Sequence, residues 1–167
     1  MTTTLNPEPS WATRTGLVRL AAPDRTTSEQ QAIDKILCAE TIHRFAFCYD
    51  EQDEPALADC FTADAVLHAT TAGTQDFGTY EGRDAVVGWL TAYWGRTEDQ
   101  RRHIVANAMV DDLTRTTARV TTMLLVTAAH DGAFRPVTAG VYSAVLRKGD
   151  DGAWRMCRFD LGFDAAF

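Results

Sequence analysis

After residue 100, almost the whole chain is strand-like in sequence. Four segments rich in Val, Thr, Leu and Met follow one another, and turn-forming residues lie between them. An Asp-Gly dipeptide such as Asp131-Gly132 between two such segments is typical of a tight hairpin. The pattern predicts a meander of long antiparallel strands over residues 103–110, 117–129, 135–148 and 153–163.

Three helical segments precede this meander. Thr26 and Thr27 stand before Glu29 and Gln30 at the spacing of a capping box, which predicts the start of the first helix. Apolar residues then recur at helical spacing as far as Tyr49.

Two shorter helices follow. One is predicted after Asp53, with Pro55 in its first turn, where proline fits best. The other begins at Gly82 and stops near Gly95, a typical helix terminator. A strand over 65–70 and a short edge strand at 78–80 are predicted between them.

Helices followed by a run of long strands predict an α+β fold, in which a curved and mostly antiparallel sheet wraps around three helices. We expect one domain over residues 26–167. Residues 1–25 contain three prolines and no sustained periodicity, so they are predicted to form a flexible N-terminal tail or to drape over the domain.

The composition excludes several classes of function. The net charge of −7 argues against nucleic-acid binding, which requires clustered Lys and Arg. No apolar run reaches the roughly 18 residues of a membrane span, and the N-terminus lacks the pattern of a secretory signal. The four cysteines lack the spacing of metal ligands and are expected to be reduced. We therefore expect a cytoplasmic protein with no bound metal, no cofactor and no membrane partner.

Tyr49 and Asp50 fall where the first helix ends, and this position is unfavourable for a carboxylate. The residues are therefore used either for a turn or for chemistry. Imidazole is the side chain best matched to proton transfer near neutral pH, and a carboxylate on one ring nitrogen fixes its tautomer. We therefore consider Asp50 and His103 as an acid–base pair; the alternative is that Asp50 caps a turn and His103 opens a strand.

An ordered set of short motifs resembles the SnoaL-like branch of the nuclear-transport-factor-2-like superfamily, which includes scytalone dehydratase and polyketide cyclases. The matching positions are Tyr49-Asp50, Phe61–Ala65, Gly78–Ala85, His103–Asn107, Gly140–Tyr142 and Asp151–Trp154.

The resemblance implies a cone-shaped α+β barrel with a deep apolar pocket, usually in a homodimer. It also implies that Asp50 and His103 meet inside that pocket. Several dehydratases of this fold use an Asp–His pair to remove a proton.

Further residues are candidates for binding a hydrophobic substrate. Tyr49, Tyr80 and Tyr142 are candidate hydrogen-bond donors to a carbonyl that develops negative charge, or else core aromatics. Asn107 shares a strand face with His103 by parity, so it orients substrate or makes a structural hydrogen bond. The resemblance places Leu67 and Ala69 toward the pocket. Other candidate lining residues, which the chain can equally use as plain core, include Trp89, Met123 and Leu125.

Three functions are consistent with the sequence. The first is a cofactor-free dehydratase, isomerase or cyclase that acts on a hydrophobic oxygenated molecule such as a polyketide or steroid-like intermediate, with His103 as base. The second is an epoxide-opening hydrolase or cyclase of the same fold. The third is a module that binds a ligand and catalyses nothing.

Overall fold

A computed structural model of the 167-residue chain describes residues 8–19, 21–22, 25–96 and 98–166. The helices are α1 (Trp11–Arg14), α2 (Glu29–Asp50), α3 (Glu54–Asp59) and α4 (Arg83–Thr91). The strands are β1 (Phe61–Thr71), β2 (Gln75–Glu81), β3 (Gln100–Asp111), β4 (Thr117–His130), β5 (Ala133–Lys148) and β6 (Trp154–Phe163).

The strands form one six-stranded sheet in the order β2-β1-β6-β5-β4-β3. Every neighbouring pair is antiparallel except β1 with β6, which is parallel. The α+β class and the strongly curved sheet are confirmed. The sheet curls around α2 as an open cone: among the described residues, no pairing joins its edge strands β2 and β3.

The long helix α2 starts slightly later than the capping-box pattern predicts. Ser28 is the N-cap, and its hydroxyl accepts a hydrogen bond from the backbone N–H of Gln31 at 3.2 Å. The Gln31 side chain reaches back to the backbone N–H of Thr27 at 2.7 Å. Ser28 and Gln31 therefore form a variant of the capping box, in which the side chain of Gln31 accepts from the residue before the N-cap rather than from the N-cap itself. The predicted end is correct, since α2 stops at Asp50.

Two other boundaries differ from the sequence prediction. β1 begins at Phe61, where we expected the end of a helix, because Phe61 pairs with Met156 of β6. α4 stops at Thr91, and the chain continues to Gly95 in turns whose N–H groups bond to carbonyls three residues earlier.

The core lies between α2 and the concave face of the sheet. Its centre is a group of aromatic rings in which Phe45 of α2 meets Phe159 at 4.8 Å and Tyr142 at 6.0 Å between ring centroids. These edge-on contacts fix the C-terminal half of α2 over β5 and β6, which sets the position of Asp50.

The segment predicted as a tail is partly ordered against the sheet. The Trp11 indole N–H donates to the Asp164 carboxylate at 2.6 Å, and Ala12 is buried. The Trp11 ring lies so close to Gly162 of β6 that a side chain there would collide with it. Part of residues 8–19 therefore lies over the sheet, which is one of the two arrangements expected from the sequence. Residues 1–7, 20, 23 and 24 of the predicted tail lie outside the described residues.

Candidate active site

A cavity of about 480 Å³ opens between the end of α2, the connection from α4 to β3, and the concave face of the sheet. Its apolar wall is mainly aromatic and includes Phe45, Tyr49, Trp89, Tyr93, Trp94 and Tyr142. Its polar wall is formed chiefly by Asp50, Arg96, Asp99, Arg101 and His103. The site therefore combines an aromatic interior with charged groups on one side.

Asp50 and His103 meet in this cavity, 53 residues apart in sequence. The Asp50 Oδ1 atom lies 2.6 Å from the His103 ring nitrogen Nδ1. The second carboxylate oxygen, Oδ2, accepts the His103 backbone N–H at 2.7 Å. Both side chains are largely shielded from solvent, with 5% of Asp50 and 11% of His103 exposed. The contact expected from the sequence is thus present, and the carboxylate holds both the ring and the backbone of His103.

This geometry fixes the tautomer of the neutral His103 imidazole. A carboxylate on Nδ1 keeps the proton there and leaves Nε2 as the acceptor. No described residue makes a hydrogen bond to Nε2, and His103 lines the cavity. The ring is therefore oriented to take a proton from a molecule in the cavity.

Two tyrosines flank the pair. The Tyr49 ring meets the His103 ring edge-on at 5.1 Å between centroids. Burial raises the pKa of Tyr49 to about 12, and the Asp50 carboxylate adds to the shift while Arg101 opposes it. Burial also raises the pKa of Tyr142 well above its ordinary value. Both phenols are therefore protonated at neutral pH and able to donate a hydrogen bond.

Trp89 and Tyr80 were both predicted to contact substrate, but only Trp89 lies in the cavity wall. Trp89 lines the cavity, as expected. Tyr80 lies behind it, stacked on the Trp89 ring at 5.1 Å, and its hydroxyl donates to the Phe77 carbonyl at 2.9 Å. Tyr80 is absent from the cavity wall, so its predicted contact with substrate is wrong; it supports Trp89 instead.

Three other predicted lining residues lie on the convex face of the sheet. Met123 is 57% exposed and Leu125 is 40% exposed, and neither reaches the cavity. Asn107 is also exposed, and its side chain contacts the Met123 sulfur at 3.2 Å. The parity argument for Asn107 fails because β3 contains an irregularity between Ala106 and Met109, with Asn107 at a φ of 55°.

Leu67 and Ala69 face inward, as the resemblance implies, but do not line the cavity. Both are completely buried on β1, where they pair with Phe159 and Leu161 of β6. They belong to the closely packed hydrophobic core. His68 between them points outward and contacts Asp76 at 3.0 Å.

The charged residues at the rim of the cavity were not predicted from the sequence. The Asp99 carboxylate contacts the guanidinium groups of Arg101 and Arg135, each at 3.1 Å. Arg96 lies over the Tyr93 ring at 4.6 Å from its centroid. One signal was available: Arg101 and His103 are two residues apart on a strand, so they share a face.

The described residues contain no group of three or more His, Cys, Asp or Glu placed to hold a metal ion. All four cysteines are unpaired thiols. No helix within the described ranges is long and apolar enough to cross a membrane.

Comparison with known proteins places this chain in a family. Residues 30–160 match the family described as the SnoaL-like domain. None of the curated proteins is significantly similar to the chain in sequence.

Many solved structures share the fold. A protein of unknown function from Mycobacterium tuberculosis is 23% identical, with a TM-score of 0.70 over 83% of this chain and 76% of that one. ActVI-ORFA from Streptomyces coelicolor is 18% identical, with a TM-score of 0.67 over 80% and 98%. The β subunit of a putative aromatic-ring-hydroxylating dioxygenase from Novosphingobium aromaticivorans is 12% identical, with a TM-score of 0.72 over 83% and 94%. At these identities the likeness shows the fold alone.

Proposed function

We propose that this chain, which belongs to the SnoaL-like domain family, is a cofactor-free acid–base enzyme acting on a hydrophobic, oxygenated small molecule. The family includes polyketide cyclases and dehydratases. The reaction we infer for this chain is a dehydration, isomerisation or cyclisation that starts with removal of a proton next to a carbonyl group.

One observation carries the proposal. The Asp50 carboxylate contacts both Nδ1 and the backbone N–H of His103, at 2.6 and 2.7 Å, at the edge of an aromatic cavity. A histidine that only opened a strand would not need its ring held by a shielded carboxylate. The two bonds orient Nε2 for proton transfer and stabilise the imidazolium that forms.

The chemical step balances without an added reagent. His103 Nε2 takes the proton from the carbon next to the carbonyl, and the electron pair of that C–H bond moves into an enolate. In a dehydration, the enolate expels a β-hydroxyl group, which leaves as water with the proton that His103 carries. In an isomerisation, His103 returns the proton to another carbon instead. Either route restores neutral His103.

Tyr49 and Tyr142 are the candidates to stabilise the enolate oxygen. Both line the cavity, and burial keeps both phenols protonated by raising their pKa values. A donor aimed at a developing oxyanion in a water-poor site is typically worth about 10²- to 10³-fold in rate.

The epoxide-opening alternative is less well supported. In that reaction Asp50 or His103 would activate water or a substrate hydroxyl, and Asp50 is the less available of the two. Both oxygens of Asp50 are engaged by His103, and Asp99 is engaged by Arg101 and Arg135. His103 is the cavity base that retains an acceptor atom.

Proton removal is common to all the candidate reactions, so it can be tested before the substrate is known. The protein is incubated in D₂O with cyclic ketones such as 2-tetralone, and deuterium uptake at the carbon next to the carbonyl is followed by NMR. We expect exchange above the buffer rate with the wild type, and its loss in His103→Gln. The matched control is His68→Gln, because His68 also contacts an aspartate at 3.0 Å but lies outside the cavity.

Equal exchange by wild type and His103→Gln would rule out His103 as the base. If the ketones bind but no variant promotes exchange, the domain is a ligand-binding module and the enzyme proposal fails.

We also propose that the chain forms a homodimer through the convex face of its sheet. Ile104, Met123 and Leu125 are all at least 40% exposed there. Ile104 pairs with Leu125 across β3 and β4, so the apolar surface is continuous.

A further inference from the structure

We propose that the cavity selects substrates that carry a carboxylate, and that Arg96 and Arg101 at its rim receive this group. The inference rests on the proposed function for the identity of the reacting end, His103. It adds a second feature of the substrate, an anionic group, which neither the fold nor the family assigns.

The carboxylates that line the cavity are all paired with cationic or imidazole groups. Three carboxylates line the cavity, those of Asp50, Glu51 and Asp99. Each already has a partner: His103 for Asp50 at 2.6 Å, Arg102 for Glu51 at 3.0 Å, and Arg101 with Arg135 for Asp99 at 3.1 Å each.

Arg96 is the cation of the cavity rim that lacks a carboxylate partner among the described residues. It lines the cavity, and within the described residues no carboxylate lies within ion-pair distance of it. Its one defined contact is the face of the Tyr93 ring, at 4.6 Å from the centroid. Stacking on a ring leaves the N–H groups at the edge of the guanidinium plane available, and this edge matches a carboxylate in a two-point contact.

Arg101 also lines the cavity, on the strand that carries His103. Its Nε donates to Asp99 at 3.1 Å, while its two terminal nitrogens have no hydrogen-bond partner among the described residues. Asp99 therefore holds this guanidinium in place and leaves the two terminal nitrogens available to donate to a ligand. Arg101 and Arg96 both lower the pKa of Tyr49, although burial outweighs them, so both act electrostatically on the same part of the cavity.

The unpaired arginine at the cavity contrasts with the net negative charge of the chain, and this contrast supports selection of an anionic ligand. The chain has a net charge of −7, so its surface on average repels anions. A guanidinium without a carboxylate partner at the mouth of an aromatic cavity favours a flat, apolar molecule with one anionic end. A neutral ligand would leave Arg96 without a counter-charge.

Binding of a matched pair of ligands tests this inference independently of catalysis. 2-Naphthoate and 2-naphthamide have the same shape and differ in charge, and their dissociation constants are measured by isothermal titration calorimetry. We expect the wild type to prefer the naphthoate, and Arg96→Gln to weaken naphthoate binding about three- to tenfold without affecting the amide. The preference should shrink as ionic strength rises from about 0.05 to about 0.5 M.

The controls separate this inference from the proposed function. Arg115→Gln makes the same change in net charge at the opposite end of β3, in the turn before β4, and should leave both constants unchanged. His103→Gln should abolish proton exchange yet retain the preference for naphthoate. Circular dichroism of each variant checks that the fold is kept.

Equal affinity of the wild type for the two ligands would overturn the inference, as would a naphthoate preference that survives Arg96→Gln. A preference that disappears in His103→Gln would place the carboxylate at the imidazole and also overturn it. If neither ligand binds, the cavity does not accept flat aromatic carboxylates and the inference is wrong.

Discussion

Asp50 stands at a helix C-terminus, where the backbone carbonyls concentrate negative potential. A carboxylate there typically costs about 0.3 to 1 kcal/mol. The two hydrogen bonds from His103 offset this cost, and each is charge-assisted. The residue that is unfavourable for the helix is thus the one that orients the imidazole, as expected where a sequence conflicts locally with its own fold.

The raised pKa of Tyr49 leads to a prediction about alkaline stability. Burial raises this pKa to about 12, whereas an unfolded tyrosine titrates near about 10. Between these values the unfolded chain loses the proton and the native state keeps it, so stability falls as pH rises from about 10 to about 12.

We therefore expect Tyr49→Phe to lose about 1 kcal/mol less of its unfolding free energy than the wild type between about pH 8 and about pH 11. Urea unfolding at about pH 8 and about pH 11 measures this difference. Cys38 and Cys60, whose pKa values burial also raises to about 12, contribute equally to both proteins and cancel. Identical alkaline losses in the two proteins would contradict the shift.

At this scale, the sequence identified the acid–base pair but not the whole site. Asp50 and His103 were found because they match ordered motifs and have complementary chemistry. Asn107 was misplaced because alternation fails at a strand irregularity, which the sequence did not reveal. Met123 was misplaced because β4 carries apolar residues on both faces, so its sequence does not show which face is concave. The position of Arg96 at the rim of the cavity was not predicted, because it depends on the turns that follow α4.

Among the elements, α2 is tied to the sheet by a second shielded carboxylate. Asp34 accepts hydrogen bonds from Lys148 at 2.8 Å, the Trp154 indole at 3.1 Å and Gln30 at 3.2 Å. Burial alone would raise the pKa of Asp34, but these hydrogen bonds lower it below its usual value. The Asp34 cluster joins the first half of α2 to β5 and β6, opposite the end that carries Asp50.

Replacement of Asp34 by Asn should therefore destabilise the fold in a pH-dependent way. We expect a loss of about 1 to 3 kcal/mol in unfolding free energy at neutral pH. Because a lowered pKa stabilises the native state only above the unfolded value, the difference should vanish as pH falls below about 4. Asp150→Asn, in an exposed turn, is the control and should change little. A pH-independent loss would show that packing, not charge, is responsible.

Two glycines test how closely the strands approach. A Cβ atom on Gly140 of β5 would collide with the Gly162 carbonyl of β6, so Gly140→Ala should cost about 1 to 3 kcal/mol. Gly88 on the exposed side of α4 has open space, so Gly88→Ala should stabilise the protein by about 0.5 to 1 kcal/mol. Thermal unfolding measures both, and the same sign for both substitutions would contradict the strand geometry.

Element boundaries were predicted well where local chemistry decides them. The ends of β4, β5 and β6 lie within two residues of the predicted ones, because glycine-containing turns separate these strands. The start of β1 was wrong because Phe61 becomes a strand residue only through its parallel partner Met156, a contact between distant parts of the chain.

For the whole molecule, the curl of the sheet creates two different surfaces. The concave face holds α2 and the cavity, and the convex face exposes Ile104, Met123 and Leu125. The family resemblance predicted this curl. Whether the edge strands β2 and β3 meet depends on the distance between them, which no local pattern encodes.

The convex surface should be the dimer interface. We expect a dimer of the wild type in sedimentation equilibrium, and at least about a hundredfold weaker association in Met123→Glu, since a charge would be buried without a partner. Phe47→Glu is the control, because Phe47 is 71% exposed on α2, away from this face. A monomeric wild type, or dissociation by Phe47→Glu alone, would contradict the assignment.

The claim that Asp50 activates His103 for proton removal is central, and deuterium uptake by a ketone in the Asp50→Asn variant tests it most directly. We predict a rate about 10²- to 10⁴-fold below wild type, because the amide no longer fixes the tautomer or stabilises the imidazolium. Asp76→Asn, which removes the matched partner of His68, should keep the full rate. Full activity in a correctly folded Asp50→Asn protein would contradict the account.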